Sequence, residues 1–454
     1  PGSVGTRRVS KKTTPSAAAP RMPGSYWRLF AGTGISNLGD GVLLAALPLL
    51  AKRVTGDPLS VGLISAFFTL PWLLIALHAG ALIDRSDRRN VLITADLFRA
   101  VLVGTVAIAA AVSDVEIWML WLLAFGLGAG EVFFDSASQT ILPAIVAPEQ
   151  LERATGWRYS LEVATNTFAG LPIGSFLFAA AVWLPFGVDA ASFVLAALLA
   201  ATLRGKFRAT SSEAGPPARP SLRHEVAEGF RWLWGHRLLR SMALAIAATN
   251  LAFGATESTF VLFATEELGV SDKFWGVLLA VVGLGVIAAG FLGGKLVDRV
   301  GRRFALIAAS FTPILTMVAI GLLPITWWVV LMTTVQAVMA TMWSIIAVAL
   351  RQQLVPDHLF GRVNGVFRWV GSGAIPLGAL LGGIVASQAN LRAPYFVGAG
   401  LMLVAYLIIV TELTDSAISH ALWRRTSEAA KPADSSPVLD DTPLSLELDP
   451  LDDF

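Results

Sequence analysis

The sequence contains no cysteine, which removes disulfides, thiolate metal sites and thiol catalysis together. Charge is also scarce: 15% of the 454 residues are Asp, Glu, Lys or Arg, against about 25% in soluble domains. The five histidines, at 78, 224, 236, 358 and 420, are scattered without metal-ligand spacing. Neither a phosphate-binding Walker motif nor a Ser-His-Asp set is present. This argues against an ATPase or a hydrolase, and no cofactor is expected. A formal net charge of +2 provides no basis for nucleic-acid binding. What is abundant is apolar: 55% of the residues are hydrophobic. Stretches of about 20 such residues, enough to cross a bilayer core, recur along most of the chain.

Twelve spans are expected, near 27–53, 59–82, 90–111, 115–141, 157–180, 185–203, 239–264, 273–297, 304–323, 326–354, 363–387 and 394–412. Of 34 basic residues, only Lys52, Arg53, Lys273 and Arg392 fall in the loops on one side. The positive-inside rule therefore places both termini in the cytoplasm of a multi-pass protein of the inner (plasma) membrane. Trp27, Trp118, Trp183, Trp327 and Trp328 lie near span ends, as an aromatic belt requires. The residues ahead of Met22, which have no apolar signal-peptide core, read as either a cloning scar or an upstream extension, with Met22 a candidate native start.

The chain repeats itself. Gly80-Ala-Leu-Ile-Asp84-Arg85-Ser-Asp87-Arg88-Arg89 recurs as Gly294-Lys-Leu-Val-Asp298-Arg299-Val-Gly301-Arg302-Arg303, each a charged turn between two apolar runs. Likewise Pro148-Glu-Gln-Leu151, with Arg153 and Gly156 following, recurs as Pro356-Asp-His-Leu359, with Arg362 and Gly365. Two parallel six-helix repeats account for both pairs. The expected organisation is a basic N-terminal segment (1–26), a six-helix bundle (27–203), a cytoplasmic linker (204–238), a second bundle (239–412) and an acidic, disordered tail (413–454). Within the linker, Leu222, Val226, Phe230 and Leu233 form an apolar stripe, as in a helix lying in the membrane interface.

An ionisable residue inside a span is costly enough to suggest a function. Asp40 and Glu131 each lie about 13 residues into a span, near the bilayer midplane at 1.5 Å per residue. Asp135 shares a helix face with Glu131, and lies closer to the cytoplasmic end, where Arg88 is its expected partner. Glu257 is embedded further toward the outside, and Asp189 is expected only at the outer end of its span. Asp96 and Arg99, three apart, read as a structural ion pair. His78 beside the first motif turn reads as interfacial, with pH sensing the less favoured role.

The doubled Gly-x-Leu-x-Asp-Arg turn resembles the cytoplasmic loop between helices 2 and 3 of major facilitator superfamily transporters. The first copy has Asp87 where that family usually has Gly; the second keeps Gly301. Ser36-Asn37-Leu-Gly39-Asp40-Gly41, Ala95-Asp96-Leu-Phe-Arg99, Leu142-Pro-Ala-Ile-Val146 and Glu228-Gly-Phe-Arg-Trp-Leu-Trp234 together resemble its twelve-helix drug:proton antiporter branch, which includes macrolide efflux and siderophore export proteins. The resemblance implies an all-α membrane protein of twelve helices in two six-helix bundles around a central cavity. It further implies a transporter rather than an enzyme, working as a monomer among lipids and exchanging protons for small molecules.

Helices 1, 4, 7 and 10 line the cavity in the resembled fold. That makes Asp40, Glu131, Asp135 and Glu257 candidates for proton coupling, and Asn37, Phe133, Asn166, Asn250, Gln336 and Trp343 candidates for the substrate cavity. Phe67, Phe134, Phe253 and Met339 add aromatic or soft surface suited to amphiphilic organic molecules. The motif turns, with Gly80, Asp84, Arg85 and Arg88 in one and Gly294, Asp298, Arg299 and Arg302 in the other, are implied to latch the halves on the cytoplasmic side. The family's helix 5 antiporter signature pairs Gly with Pro; here Leu171 separates Gly170 from Pro172. The expected function is proton-coupled export of drug-like compounds or siderophores. A lipid or lysophospholipid flippase of the same fold and a non-transporting ligand sensor are the alternatives, and flux, lipid scrambling and binding in sealed vesicles separate the three.

Overall fold

A computed structural model describes residues 22–112, 115–203, 207 and 222–410. Residues 1–21 of the expected basic N-terminal segment, most of the linker ahead of residue 222 and the acidic tail lie outside them. The described residues are helical, with no β-strand among them. The N-terminal half contains α1 (Gly24–Val54), α2 (Pro58–Leu74), α3 (Ala76–Arg85), α4 (Arg88–Ala111), α5 (Ile117–Ile145), α6 (Leu151–Glu162), α7 (Leu171–Ala180) and α8 (Leu184–Ala201). After α9 (Leu222–Gly235) come α10 (Arg237–Glu257), the short α11 (Phe260–Leu262), α12 (Asp272–Val300), α13 (Arg302–Leu322), α14 (Thr326–Leu354), α15 (Asp357–Gln388) and α16 (Ala393–Val410).

Eleven helical stretches among the described residues are long and apolar enough to cross a membrane. The remaining crossing is interrupted: α2 ends at Ile75, whose N–H still bonds the Pro71 carbonyl, and α3 continues from there. Crossing five runs from α6 to α7 through a wide-turned π stretch, Val163–Gly170. Local chemistry sets the helix starts. Asp57 caps α2 by accepting from the Leu59 and Ser60 N–H groups, and Pro58 follows at the first helical position. Asp87 caps α4 through the Arg89 N–H at 3.0 Å, so the first motif turn closes with an ordinary φ of −74°. Gly301 closes the second turn at φ +82°, a conformation that glycine adopts without a Cβ penalty. The non-Gly residue of the first copy is therefore a capping device.

Among the described residues the two bundles share one apolar core and keep three apart, the smallest being around Met317 and Met402 of the second half. The shared core joins Leu43, Leu47, Leu50, Val61 and Phe186 to Phe260–Ala264, Trp275 and Tyr395. It lies toward the face carrying the 55–57 and 389–392 connections, which we call the far face. Lys52 bonds Asp272 across the halves there at 2.9 Å, and the Gly276 N–H bonds the Ser175 hydroxyl at 2.7 Å. Toward the opposite, terminal face, one core is built only from the first half, around Tyr26, Ile83, Ala137 and Ile141. Another is built only from the second half, around Leu239, Met342, Leu350 and Phe367. The halves are thus sealed at the far face, while toward the terminal face their cores are separate and the Trp369 indole N–H still bonds the Leu73 carbonyl across them at 3.3 Å.

The amphipathic stretch forms α9, whose Leu233 is fully buried in the second half's core. Its Glu228 bonds Arg362 of α15 at 2.6 Å. One face of α9 therefore packs on protein, while Phe230 and Trp234, stacked at 4.8 Å, stay exposed.

Candidate functional site

Arg99 organises the polar interior of the first half. It stands on α4 with only 1% of its surface exposed, a placement that a permanent cation tolerates only with close partners. Gly130 of α5 makes room for its stem, since a Cβ there would meet the Arg99 Cγ at 2.7 Å. The guanidinium lies between the rings of Phe134 and Phe193, 4.6 and 4.2 Å from their centroids, in cation–π geometry. It donates to Asp96 Oδ1 at 2.6 Å and, more loosely, to Asp40 Oδ1 at 3.5 Å. The Asp96–Arg99 ion pair is present, but the same arginine also ties α4 to α1 through Asp40. Phe134, expected in the substrate cavity, is buried beneath Arg99 instead.

Glu131 lies on α5 within electrostatic reach of Asp40, Asp135, Arg99 and Glu162. Its Oε2 is buried and has no hydrogen-bond partner among the described residues. Burying an ionised carboxylate in that way is expensive. Asp135, one turn away, is acted on by Arg158 and Arg99. The expected Asp135–Arg88 pair is absent, because Arg88 reaches the Thr140 carbonyl at 3.1 Å.

Asp189 was missed by sequence reasoning. Far from sitting loosely at an outer end, it is fully buried. α8 presses it against α1 where Gly39 has no side chain: a Cβ on Gly39 would stand 2.2 Å from Asp189 Oδ1. Gly39 directly before Asp40 in the sequence was the only available signal.

The second half carries less charge at this depth. Glu257 ends α10 with an exposed side chain, within electrostatic reach of Tyr395. Phe253, one turn before it, is 51% exposed. Asn250 bonds the Gly371 carbonyl of α15 at 3.0 Å. Gln336 turns to the Thr316 hydroxyl of α13 at 2.9 Å, so its amide serves a helix–helix contact. Trp343 and Met339 pack against the second half's core, while Phe133 packs against the first half's. Phe67 lies 6.2 Å from Trp121, centroid to centroid. Asn37 is half-buried on α1, and Asn166 presents its backbone carbonyl to Gly41.

Of the motif-turn residues, Asp298 and Arg299 are exposed at the end of α12, and Gly294 has open space around its Cβ position. The surroundings of Gly80, Asp84, Arg85 and Arg302 lie outside the described residues. His78 is exposed. Trp27, Trp118, Trp183 and Trp327 are exposed near helix ends, whereas Trp328 bonds the Ala319 carbonyl. Among the described residues no group of His, Asp and Glu is arranged to hold a metal ion. The site is a ring of carboxylates around one buried guanidinium, suited to holding and exchanging protons or small cations.

The family profile described as Major Facilitator Superfamily matches residues 29–377. The chain is 28% identical over 380 residues to the multidrug efflux pump Tap of Mycolicibacterium fortuitum, covering 79% of this chain and 88% of that protein. It is 22% identical over 390 residues to macrolide efflux protein A of Streptococcus pyogenes, covering 85% and 94%. Among solved structures, a bacterial homologue of the iron transporter ferroportin in an inward-facing state superposes with a TM-score of 0.67 at 18% identity, over 85% of this chain and 98% of that one. The nucleoside transporter NupG superposes with a TM-score of 0.65 at 14% identity, over 86% and 99%. At these identities the structural likeness speaks for the fold.

Proposed function

The chain belongs to the Major Facilitator Superfamily, and from that premise we propose that it exports amphiphilic small molecules, drug-like compounds or siderophores, in exchange for protons. Similarity to two drug efflux proteins supports the direction and the substrate class. The observation that carries the proton is Glu131 Oε2, buried and without a partner beside a ring of other carboxylates. A carboxyl so placed is stable neutral, and ionises when a cationic group arrives to take the proton's place. Substrate and proton then compete for Glu131 and the adjacent Asp40.

In this reading the terminal face is cytoplasmic, as the Lys and Arg distribution requires. The separated halves then describe an inward-facing conformer in which Glu131 meets the cytoplasm. Rocking the halves about the site would break the Lys52–Asp272 bond and the α7–α12 contact, exposing the site outward. There a proton displaces the substrate. For a neutral substrate, inward movement of one proton through about 100 mV supplies roughly 2.3 kcal/mol, enough for an approximately 50-fold gradient without ATP; for a singly charged cation the exchange is electroneutral and the pH gradient alone drives it. Glu257 and Phe253, exposed on α10 of the second half, are the complementary substrate contacts in this reading. The motif turns set the rate of exchange between conformers.

The test is Glu131→Gln in proteoliposomes. The variant is expected to lose accumulation driven by a pH gradient while keeping downhill exchange, because substrate then displaces no proton. Undiminished proton-driven accumulation by Glu131→Gln would remove Glu131 from the mechanism.

A further inference from the structure

The carboxylates around Arg99 divide into two kinds. Asp96 and Asp40 each receive a bond from the guanidinium, at 2.6 and 3.5 Å. Glu131 and Asp189 receive none, and each has a buried oxygen, Oε2 and Oδ2, with no partner among the described residues. Apart from Asp135, which Arg158 also faces, four carboxylates share Arg99, and they cannot all be ionised without an uncompensated buried charge. Pairing Arg99 with Asp96 and Asp40 leaves Glu131 and Asp189 as the groups that must carry protons.

The contact at Asp189 has the same polarity. The Ser192 hydroxyl lies 2.8 Å from the Asp189 carbonyl oxygen and 3.3 Å from its Oδ1. A hydroxyl has one proton to give, and the shorter bond takes it. Ser192 Oγ then offers a lone pair to Oδ1, and a neutral Asp189 supplies the matching O–H. The charged groups facing Asp189 are Asp40 from α1 and Asp96 and Arg99 from α4. Its enclosure depends on Gly39, since a Cβ there would overlap both Asp189 Oδ1 and Ser192 Oγ.

The geometry points to Asp189 as a second exchangeable-proton site, enclosed between α1 and α8 and reaching the cavity through Asp40, so that the cluster stores two protons. This rests on the proton-exchange reading of Glu131 and adds a proton to it. Asp40 is the route because its side chain is 29% exposed, whereas Asp189 is sealed. A proton leaving Asp189 passes to the Asp40 carboxylate and from there to the cavity; its return reverses the two transfers.

Infrared spectroscopy of the full chain in lipid tests this without a substrate, because a protonated carboxyl has a C=O stretch distinct from that of a carboxylate. Raising the pH is expected to bleach the bands of two carboxyls in the unsubstituted protein, and Asp189→Asn to remove about half of that amplitude, with Glu131→Gln removing the other half. Ser192→Ala keeps both protons but shifts the frequency of the Asp189 band, a signature that a purely structural role would not produce. A titration amplitude in Asp189→Asn equal to that of the unsubstituted protein overturns the proposal. Loss of amplitude only in Asp189→Asn, with Glu131→Gln unchanged, upholds Asp189 and removes Glu131 from the reading on which transport was built. Should Asp189→Asn fail to fold, Ser192→Ala decides alone: an unshifted spectrum overturns the assignment.

Discussion

Gly276→Ala adds one methyl group at the place where the two halves are pressed together. An ideal Cβ at Gly276 stands 1.8 Å from the Leu171 carbonyl oxygen and 2.4 Å from its carbon. Both atoms are backbone, so no side-chain rotation relieves the overlap. Reaching an ordinary contact of about 3.5 Å requires α12 and α7 to move apart, which also stretches the 2.7 Å bond from the Gly276 N–H to Ser175. Overpacking of this kind costs about 1–3 kcal/mol, and the weakened hydrogen bond adds about 1 kcal/mol. In the proposed exchange between conformers the contact exists only while the far ends are closed, so the penalty is expected to fall on this conformer and not on its opposite. A bias of about 2 kcal/mol shifts a two-state population roughly 30-fold. Because the chain has no cysteine, spin labels can be introduced without background at Glu149 and Gly361, both exposed at the terminal face in opposite halves. Gly276→Ala is expected to shift the inter-label distances from long to short as the terminal face closes. Gly290→Ala, on the same helix with open space at its Cβ position, is expected to leave them unchanged. Identical distance distributions for the Gly276→Ala and unsubstituted proteins would refute the reasoning.

Removing Arg99 leaves Asp96 and Asp40 uncompensated, so Arg99→Ala is expected to cost about 3–5 kcal/mol, read as a large loss of thermal stability in detergent. Arg392→Ala, which breaks the exposed pair with Glu267, is expected to cost at most about 1 kcal/mol; equal losses for the two would contradict the buried role of Arg99. Lys52→Ala is expected to shift the inter-label distances slightly toward the closed terminal face, with exchange of Lys52 and Asp272 restoring them, since exposed pairs contribute about 0.2–1 kcal/mol. The Ser60 hydroxyl, followed by the Ser60 and Leu59 N–H groups, holds the Asp57 carboxyl below its usual range. Its capping contribution is therefore present at neutral pH and lost as the pH falls below the ordinary Asp range through that lowered value. Asp57→Ala is expected to cost about 1 kcal/mol at neutral pH and to show no such acid loss.

Features that depend on neighbours along the chain were legible in the sequence. The apolar runs, the charged turns and the amphipathic stretch that forms α9 all follow from composition and period. So did the pairing of Asp96 with Arg99, because three residues bring side chains together on a helix. What depended on the approach of distant helices was not legible. Arg99 reaches Asp40 across 59 residues, and no local pattern announces that α4 and α1 meet there. Counting from the loop put Asp189 at an outer end, whereas its burial depends on Gly39 letting α8 come close. Gln336 looked like a cavity group until α13 offered it Thr316.

The sequence by itself determined that this chain crosses a membrane many times, that it is built as a repeated half, and that several carboxylates lie at depths where charge is costly. Those properties are counted per residue along the chain, and transfer energies and helical rise suffice to read them. Tertiary structure alone decided which carboxylates receive the single buried guanidinium and which are left with an unpartnered oxygen. It also decided that the halves seal at the far face. Both outcomes are set by distances between helices, and electrostatic and packing energies change steeply over the few tenths of an ångström that only the assembled bundle defines.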